Sequence, residues 1–378
     1  MRTGRVLGWG TRFRAHEWVD RSWIVIPSLY VAAALVLGKV VPRIEEHREV
    51  DPFALGLAPE SAREILNAVA SGMIAFTGLV VSVAVVVVQF GASQYTPRLV
   101  LRFRRDLVVK HALGIFVAPA LYALVSLGAV GHEHAGAANL TVGIAIVLLV
   151  AAVFAFFALT ARLLDLLRPR RLYAQLRDGC ERAIDQVYPH PFAGEAADRR
   201  ERLPAVTAVV PYTGPTGVLS ALDHARLLEL ASAADATVEV AWTIGGFVWT
   251  GGPLFTIRGA GRELPRAELE RAAIVAEERT LTQDPAFAIR TIVDIAIRAL
   301  SPAVNDPTTA VQALDSLESL LHRLARRDLG AGHLHDGDGR LRVVYSAPGW
   351  EALLDLALTE IRDYGASSHQ IARRLRAL

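Results

Sequence analysis

Residues 66–90, LNAVASGMIAFTGLVVSVAVVVVQF, decide the fold. These 25 residues contain no Asp, Glu, Lys or Arg. A helix needs about 20 predominantly apolar residues to cross the hydrocarbon of a bilayer, so this stretch is long enough to span one with some tilt. Its small and polar residues are ordered. Ser71, Ala75, Gly78, Ser82, Gln89 and Ser93 recur at steps of three, four or seven and fall on one helical face. The other faces carry Met73, Ile74, Leu79, Val80, Val83, Val87 and Val88, which suit lipid or close apolar packing.

Composition agrees with a membrane chain. Of 378 residues, 52% are apolar, and the mean hydropathy is +0.33. The net charge of +2 divides unevenly. Residues 1–169 hold 16 Lys and Arg against 11 Asp and Glu, or +5; residues 170–378 hold 24 against 27, or −3. The C-terminal half has no basic surplus to attract nucleic acid, and none is expected as a partner. The one cysteine, Cys180, excludes an intrachain disulfide and a Cys-based metal cluster. Only two lysines occur, Lys39 and Lys110, so no chemistry beyond residue 110 can use a lysine amine.

Three further apolar runs flank the first. The spans are expected at about 23–41, 66–90, 107–130 and 140–164. Residues 1–22 form a basic, aromatic interfacial segment with Arg2, Arg5, Arg12, Arg14, Trp9 and Trp18. The connection after the first span is acidic (Glu45, Glu46, Glu49, Asp51). The one after the second carries Arg98, Arg102, Arg104 and Arg105. The one after the third has no Lys or Arg, and the fourth span runs into Arg162, Arg168, Arg170 and Arg171. Basic segments are retained in the cytoplasm, so four spans place both termini inside, in a bacterial plasma (inner) membrane.

The rest reads as a cytoplasmic α+β domain: a linker helix and loop (170–202), a β-rich mixed module (203–258) and a mainly helical part (259–378). LPAVTAVVPY, ATVEVAWTI and GFVWTGGPLFTI have strand alternation and glycine turns, interrupted by the helical ALDHARLLELASAA. A helix is expected from Arg266 to about Leu281. Asp284-Pro285 and Asp306-Pro307 then have the cap-then-proline form that starts a helix.

Four constellations bear on function. The stripe of the second span either lets helix backbones approach or, repeated around an oligomer axis, rings an aqueous pore. Small residues dominate it, which weighs towards packing. Arg290, Asp294 and Arg298, at i, i+4 and i+8, form a ladder that locks a helix to its neighbours or binds an acidic headgroup. Asn305 and Asp306 begin the next helix, where Asp306 occupies the anion position itself. His132-Glu133-His134 and His333, His335, Asp336 and Asp338 have metal-ligating side chains but no zinc or calcium spacing, and read as polar loops; no metal or cofactor is expected. No G-x-x-x-x-G-K-[ST], H-E-x-x-H or G-x-S-x-G motif occurs, nor a G-x-G-x-x-G after a strand, so the chain is not expected to be an enzyme.

Three stretches carry a family resemblance: ASGMIAFTGLVVSVAVVVVQFGASQYTPRLV, GVLSALDHARLLELA and DPAFAIRTIVDIAIRALSPAVNDPTTAVQALD. Together they resemble the bacterial predicted membrane proteins grouped as domain of unknown function 2254. The resemblance implies an integral bacterial membrane protein with a cytoplasmic domain and carries no activity. Ile244-Gly245-Gly246-Phe247 stands where a Pro-Gly-Asp-Phe-like turn is expected, so the acidic residue is missing. GFVWTGGPLFTI is similar to the hairpin of biotinyl and lipoyl domains but has no lysine to modify.

The functional expectation is a homo-oligomeric channel or pore-forming protein whose cytoplasmic domain assembles or gates it. The alternative is a non-conducting scaffold or sensor whose cytoplasmic domain binds a ligand or a protein.

Overall fold

A computed structural model describes residues 22–47, 53, 55–94, 106–129, 138–166, 168–192, 203–259, 263–329 and 332–378. The basic N-terminal segment, Arg98 to Arg105 and His132-Glu133-His134 lie outside the described residues. The chain divides into two compact units, which meet between Arg168 and Pro169.

Among the described residues the N-terminal unit holds four helices, each long and apolar enough to cross a membrane: α1 (Val25–His47), α2 (Pro59–Gln94), α3 (Leu107–Ala129) and α4 (Asn139–Leu166). A helix lies at each of the four expected spans, and the first two run on past the C-terminal ends of the apolar runs. Helix α3 is the hub and packs against each of the others; 56% of its apolar stretch is buried, against 11% for α2. Hydrocarbon gives helices no hydrophobic reason to associate, so close van der Waals fit has to hold them. The sequence meets this with small residues at the seams: Ala112, Ala120 and Ala123 on α3, and Ala145 and Ala152 on α4, are all buried. Gly38 lets α1 approach α3, because an added Cβ would sit 2.9 Å from Val125 Cβ. The outer surface carries Ile24, Leu29, Ile74, Leu79, Phe154 and Phe157, each more than 60% exposed. Apolar surface of this extent is what a membrane covers.

Among the described residues, two sheets and seven helices form the C-terminal unit. Its elements are α5 (Pro169–Val187), β1 (Val206–Pro211), β2 (Gly217–Leu222), α6 (His224–Ala233), β3 (Thr237–Val240), β4 (Phe247–Val248), β5 (Pro253–Arg258), α7 (Arg266–Arg271), β6 (Ala273–Ala276), α8 (Pro285–Ala299), α9 (Pro307–Leu324), β7 (His333–His335), β8 (Leu341–Val344), α10 (Trp350–Tyr364) and α11 (His369–Ala377). One sheet has the order β1-β5-β3-β8-β7, antiparallel except for β3 with β8; the other has the order β4-β2-β6. Leu219, Leu227, Val238, Leu254, Phe255, Leu269 and Val343 fill the core of the β-rich part. Helices α5, α8, α9 and α10 pack into the helical part.

Several sequence expectations are corrected. The helix from Arg266 stops at Arg271, and Ala273–Ala276 is instead a strand whose Val275 and Ile274 pair with Leu219 and Ala221. The β-rich module does not end at residue 258, since β8 joins it beside β3. Residues 169–187 are no linker: Leu172, Leu176, Ala183 and Ile184 face the helical core and are buried. GFVWTGGPLFTI is no hairpin. Its two strands belong to different sheets, because β4 pairs with β2 whereas β5 pairs with β1 and β3.

Candidate functional site

The α2 stripe lies on the outside of its own bundle. Leu66, Val69, Ala70, Met73 and Val80 form the buried side of the helix, while Ser71, Ala75, Gly78, Ser82 and Gln89 are all exposed. An added Cβ at Gly78 would meet nothing within 4 Å. The stripe therefore does not pack against the other spans of the same chain. Ser82 Oγ donates back to Gly78 O at 2.9 Å, as a hydroxyl does when no other acceptor is near. Among the described residues, the Ser71 hydroxyl and the Gln89 amide have no hydrogen-bond partner. Ser93 lies in the last turn, where side chains are outside the described residues. A polar atom elsewhere on α2, Thr77 Oγ1, does tie it to the bundle and donates to Phe116 O at 3.2 Å.

Charged ties hold the ends of the bundle. Glu45 at the end of α1 accepts the Leu140 and Thr141 amides, at 2.6 and 3.1 Å, and the Thr141 hydroxyl at 2.6 Å. A carboxylate is thereby seated on the positive N-terminus of α4. At the opposite ends of these helices, Asp106 caps α3 through Val108 N and Val109 N and accepts Arg162 Nε at 2.7 Å. The sequence reading placed Glu45 in an acidic connection and gave neither residue a role; Asp106 is a local cap, whereas a cap supplied from another helix, as by Glu45, leaves no local signature.

In the C-terminal unit, the Arg290 ladder is a bracket between helices. Arg290 Nε donates to Asp294 Oδ1 at 2.7 Å, and its guanidinium clasps Glu360 on α10, with NH2 3.1 Å from Oε2. The Glu360 carboxylate is the main cause holding Arg290 in its charged form. Arg298 is exposed one turn past the end of that contact. Asn305 and Asp306 stand at the far end of α8. Asn305 has φ +49°, and Asp306 caps α9 through Thr309 N at 3.1 Å and Thr309 Oγ1 at 2.6 Å. Arg290 and Asp294 thus belong to an ion-pair bracket and Asp306 to a helix cap.

Asp336 has structural partners: it accepts Asp338 N and Arg340 N and pairs with Arg342 at 2.7 Å. The buried Arg342 also pairs with Asp235, and its guanidinium holds both carboxyls below the usual range. Among the described residues no group of three or more His, Cys, Asp or Glu is arranged to hold a metal ion. The sequence reading passed over two features. His224 stacks on Tyr345 (4.7 Å, 17°), burial lowers its pKa, and its Nε2 has no partner among the described residues. Asp284, the expected cap of α8, also grips Arg279, which leans on the Phe287 ring; Gly245 packs directly against this pair, where a Cβ would sit 2.5 Å from Asp284 Oδ2.

Comparison with known families matches residues 20–378 to the family described as predicted membrane protein (DUF2254). The chain belongs to this family. Uncharacterized proteins of Mycobacterium bovis and Mycobacterium tuberculosis are similar to this DUF2254 chain, each 31% identical over 357 residues, which is 90% of this chain and 68% of theirs. No solved structure matches it. The family description and the four apolar helices agree on a membrane protein, and neither carries an activity.

Proposed function

We propose that this DUF2254 chain is a homo-oligomeric, pore-forming protein of the bacterial inner membrane, with both termini and the C-terminal unit in the cytoplasm. One observation carries the reading. The Ser/Gly/Gln face of α2 is turned away from the bundle that its other side builds. An amide such as that of Gln89 left unpaired in hydrocarbon costs several kcal/mol. Copies arranged with their α2 faces around an axis relieve that cost, and the small residues at 71, 75, 78 and 82 let the helices approach. The surplus of Lys and Arg at the N-terminus, after the second span and after the fourth supports the orientation.

Reconstitution of the full chain in planar bilayers tests the proposal. The expected result is a conductance abolished by Ser82→Leu and by Gln89→Leu. The absence of current under every ion and voltage would overturn it. A second reading, a non-conducting scaffold or sensor, is favoured by Phe247 and Trp249, which stand exposed on and just after the edge strand β4, with Trp249 edge-on to Trp242. It predicts an oligomer that forms normally and passes no ions.

A further inference from the structure

The exposed face of α2 keeps one chemistry along most of the helix and breaks it at one level. Towards the N-terminal end the stripe continues beyond Ser71 as Asn67, Glu64 and Glu60, at steps of four, three and four, and all three are exposed. From Glu60 to Ser82 every step on this face is therefore small or polar. The next step is different. Ser82 is followed on the stripe by Gln89, seven residues on, and the position between them falls at residues 85 and 86. These lie 14 and 15 residues after Ser71, just short of and just past four turns of about 3.6 residues, so they straddle the line of the stripe. Both are Val, and both are exposed.

In the pore proposed above, each polar step becomes a ring of groups that hold water, and the break becomes a ring of isopropyl groups. Small residues at 71, 75, 78 and 82 let the helices approach, so the side chains that reach further inward set a narrow level. A narrow apolar ring offers water no hydrogen bonds and empties, which stops ions without a plug. Val has one strongly preferred rotamer in a helix, so these groups do not swing aside, and the ring opens only when the helices move. Residue 85 lies about 10 Å beyond Gly78, the middle of the apolar run, and thus within a hydrocarbon half-thickness of about 15 Å. Resting on that pore reading, we infer that Val85 and Val86 form its hydrophobic gate.

The test uses the full chain in planar bilayers. The double variant Val85→Thr, Val86→Thr keeps the branched shape and adds two hydroxyls per copy; it is expected to raise the open probability about tenfold. Val83→Thr makes the same change at an exposed position on another face of α2 and is expected to leave conduction as it is. A second measurement does not depend on the size of the current. In a Cys180→Ser background, a membrane-impermeant thiol reagent added from the side of the α2 N-terminus should label Ser82→Cys readily. It should label Gln89→Cys about tenfold faster when the two Thr substitutions are also present. Unchanged conduction in the double variant, beside a parent chain that conducts, would overturn the gate and leave the pore standing. An equal rise in Val83→Thr, or labelling of Gln89→Cys as fast as Ser82→Cys without the Thr substitutions, would overturn the gate too. No current in either the parent chain or the double variant would overturn the pore, and the gate with it.

Discussion

Replacing Asp284 by Ala removes two contacts at once. Its Oδ1 accepts Phe287 N at 2.9 Å and so caps α8, and its carboxylate takes Arg279 Nε and NH2 at 2.8 and 2.9 Å. Loss of an N-cap costs about 1 kcal/mol. A hydrogen bond to a charged group contributes about 1.5–3 kcal/mol. Arg279 keeps 32% of its side chain in solvent while Asp284 keeps 4%, so the ion pair is discounted towards the lower figure. The sum is about 2–4 kcal/mol for Asp284→Ala. Asp284→Asn retains a good capping side chain and forfeits only charge, so about 1–2 kcal/mol is expected. Asp306→Ala, which removes a cap without an ion pair, should cost about 1 kcal/mol.

Hydrogen exchange of the full chain in detergent reads these values locally, at the first amides of α8 and α9, without requiring a single unfolding transition. Asp284→Ala should accelerate exchange at the start of α8 by roughly 30- to 1,000-fold, and Asp306→Ala at the start of α9 by roughly tenfold. The reasoning is refuted if the two alanine variants exchange alike, or if Arg279→Ala adds its full effect on top of Asp284→Ala, since partners in one contact should not be additive.

Three other outcomes are expected. Gly38→Val should lower the thermal midpoint of the detergent-solubilised protein, because Val125 Cβ and Tyr122 O already stand 2.9 and 3.0 Å from the first added carbon; overpacking of this kind costs about 1–3 kcal/mol. Glu45→Ala should speed exchange at Leu140 and Thr141, whose amides lose their acceptor, whereas Glu45→Gln should preserve most of the protection. His224 has a folded pKa below its ordinary value of 6.5 because of burial. The unfolded chain therefore binds its proton first, and stability should be full above about pH 6.5 and fall as the pH drops below it. His224→Phe keeps a ring against Tyr345 and should remove that part of the acid sensitivity in pH-dependent unfolding of the full chain; an unchanged pH profile would refute the assignment.

The spans could be read from the sequence because each is a long apolar run with at most one Lys or Arg, placed near an end, and no tertiary contact competes with that signal. The starts of α8 and α9 were equally legible, since a capping Asp and a following Pro act within one turn. Strand β6 was not. ERAAIVAEERT carries charges on both sides of a five-residue apolar run, which suits a helix as well as a strand, and only its pairing with β2 some fifty residues earlier decides. Strand β8 reaches β3 from about a hundred residues away, a distance over which a local pattern is silent. At the candidate site, periodicity places the α2 stripe on one face of the helix. Which way the face points depends on where Leu66, Val69 and Met73 find partners on α3 and α4, and that is a property of the assembled bundle.

The outward turn of α2 separates two roles of one helix. At 36 residues and 1.5 Å per residue, the helix is about 54 Å long, well beyond a hydrocarbon thickness of about 30 Å, and its apolar stretch is the least covered of the four. Ser82 lies on its exposed side and Met73 on its buried side, so substitutions on the two sides should separate the stripe from the packing of the bundle. Met73→Ala should destabilise the bundle by about 2–5 kcal/mol and lower its thermal midpoint. Ser82→Leu should leave that midpoint in place and abolish conductance. If Ser82→Leu lowered the midpoint as much as Met73→Ala, the stripe would be part of the bundle's own packing, and the pore assignment would fail.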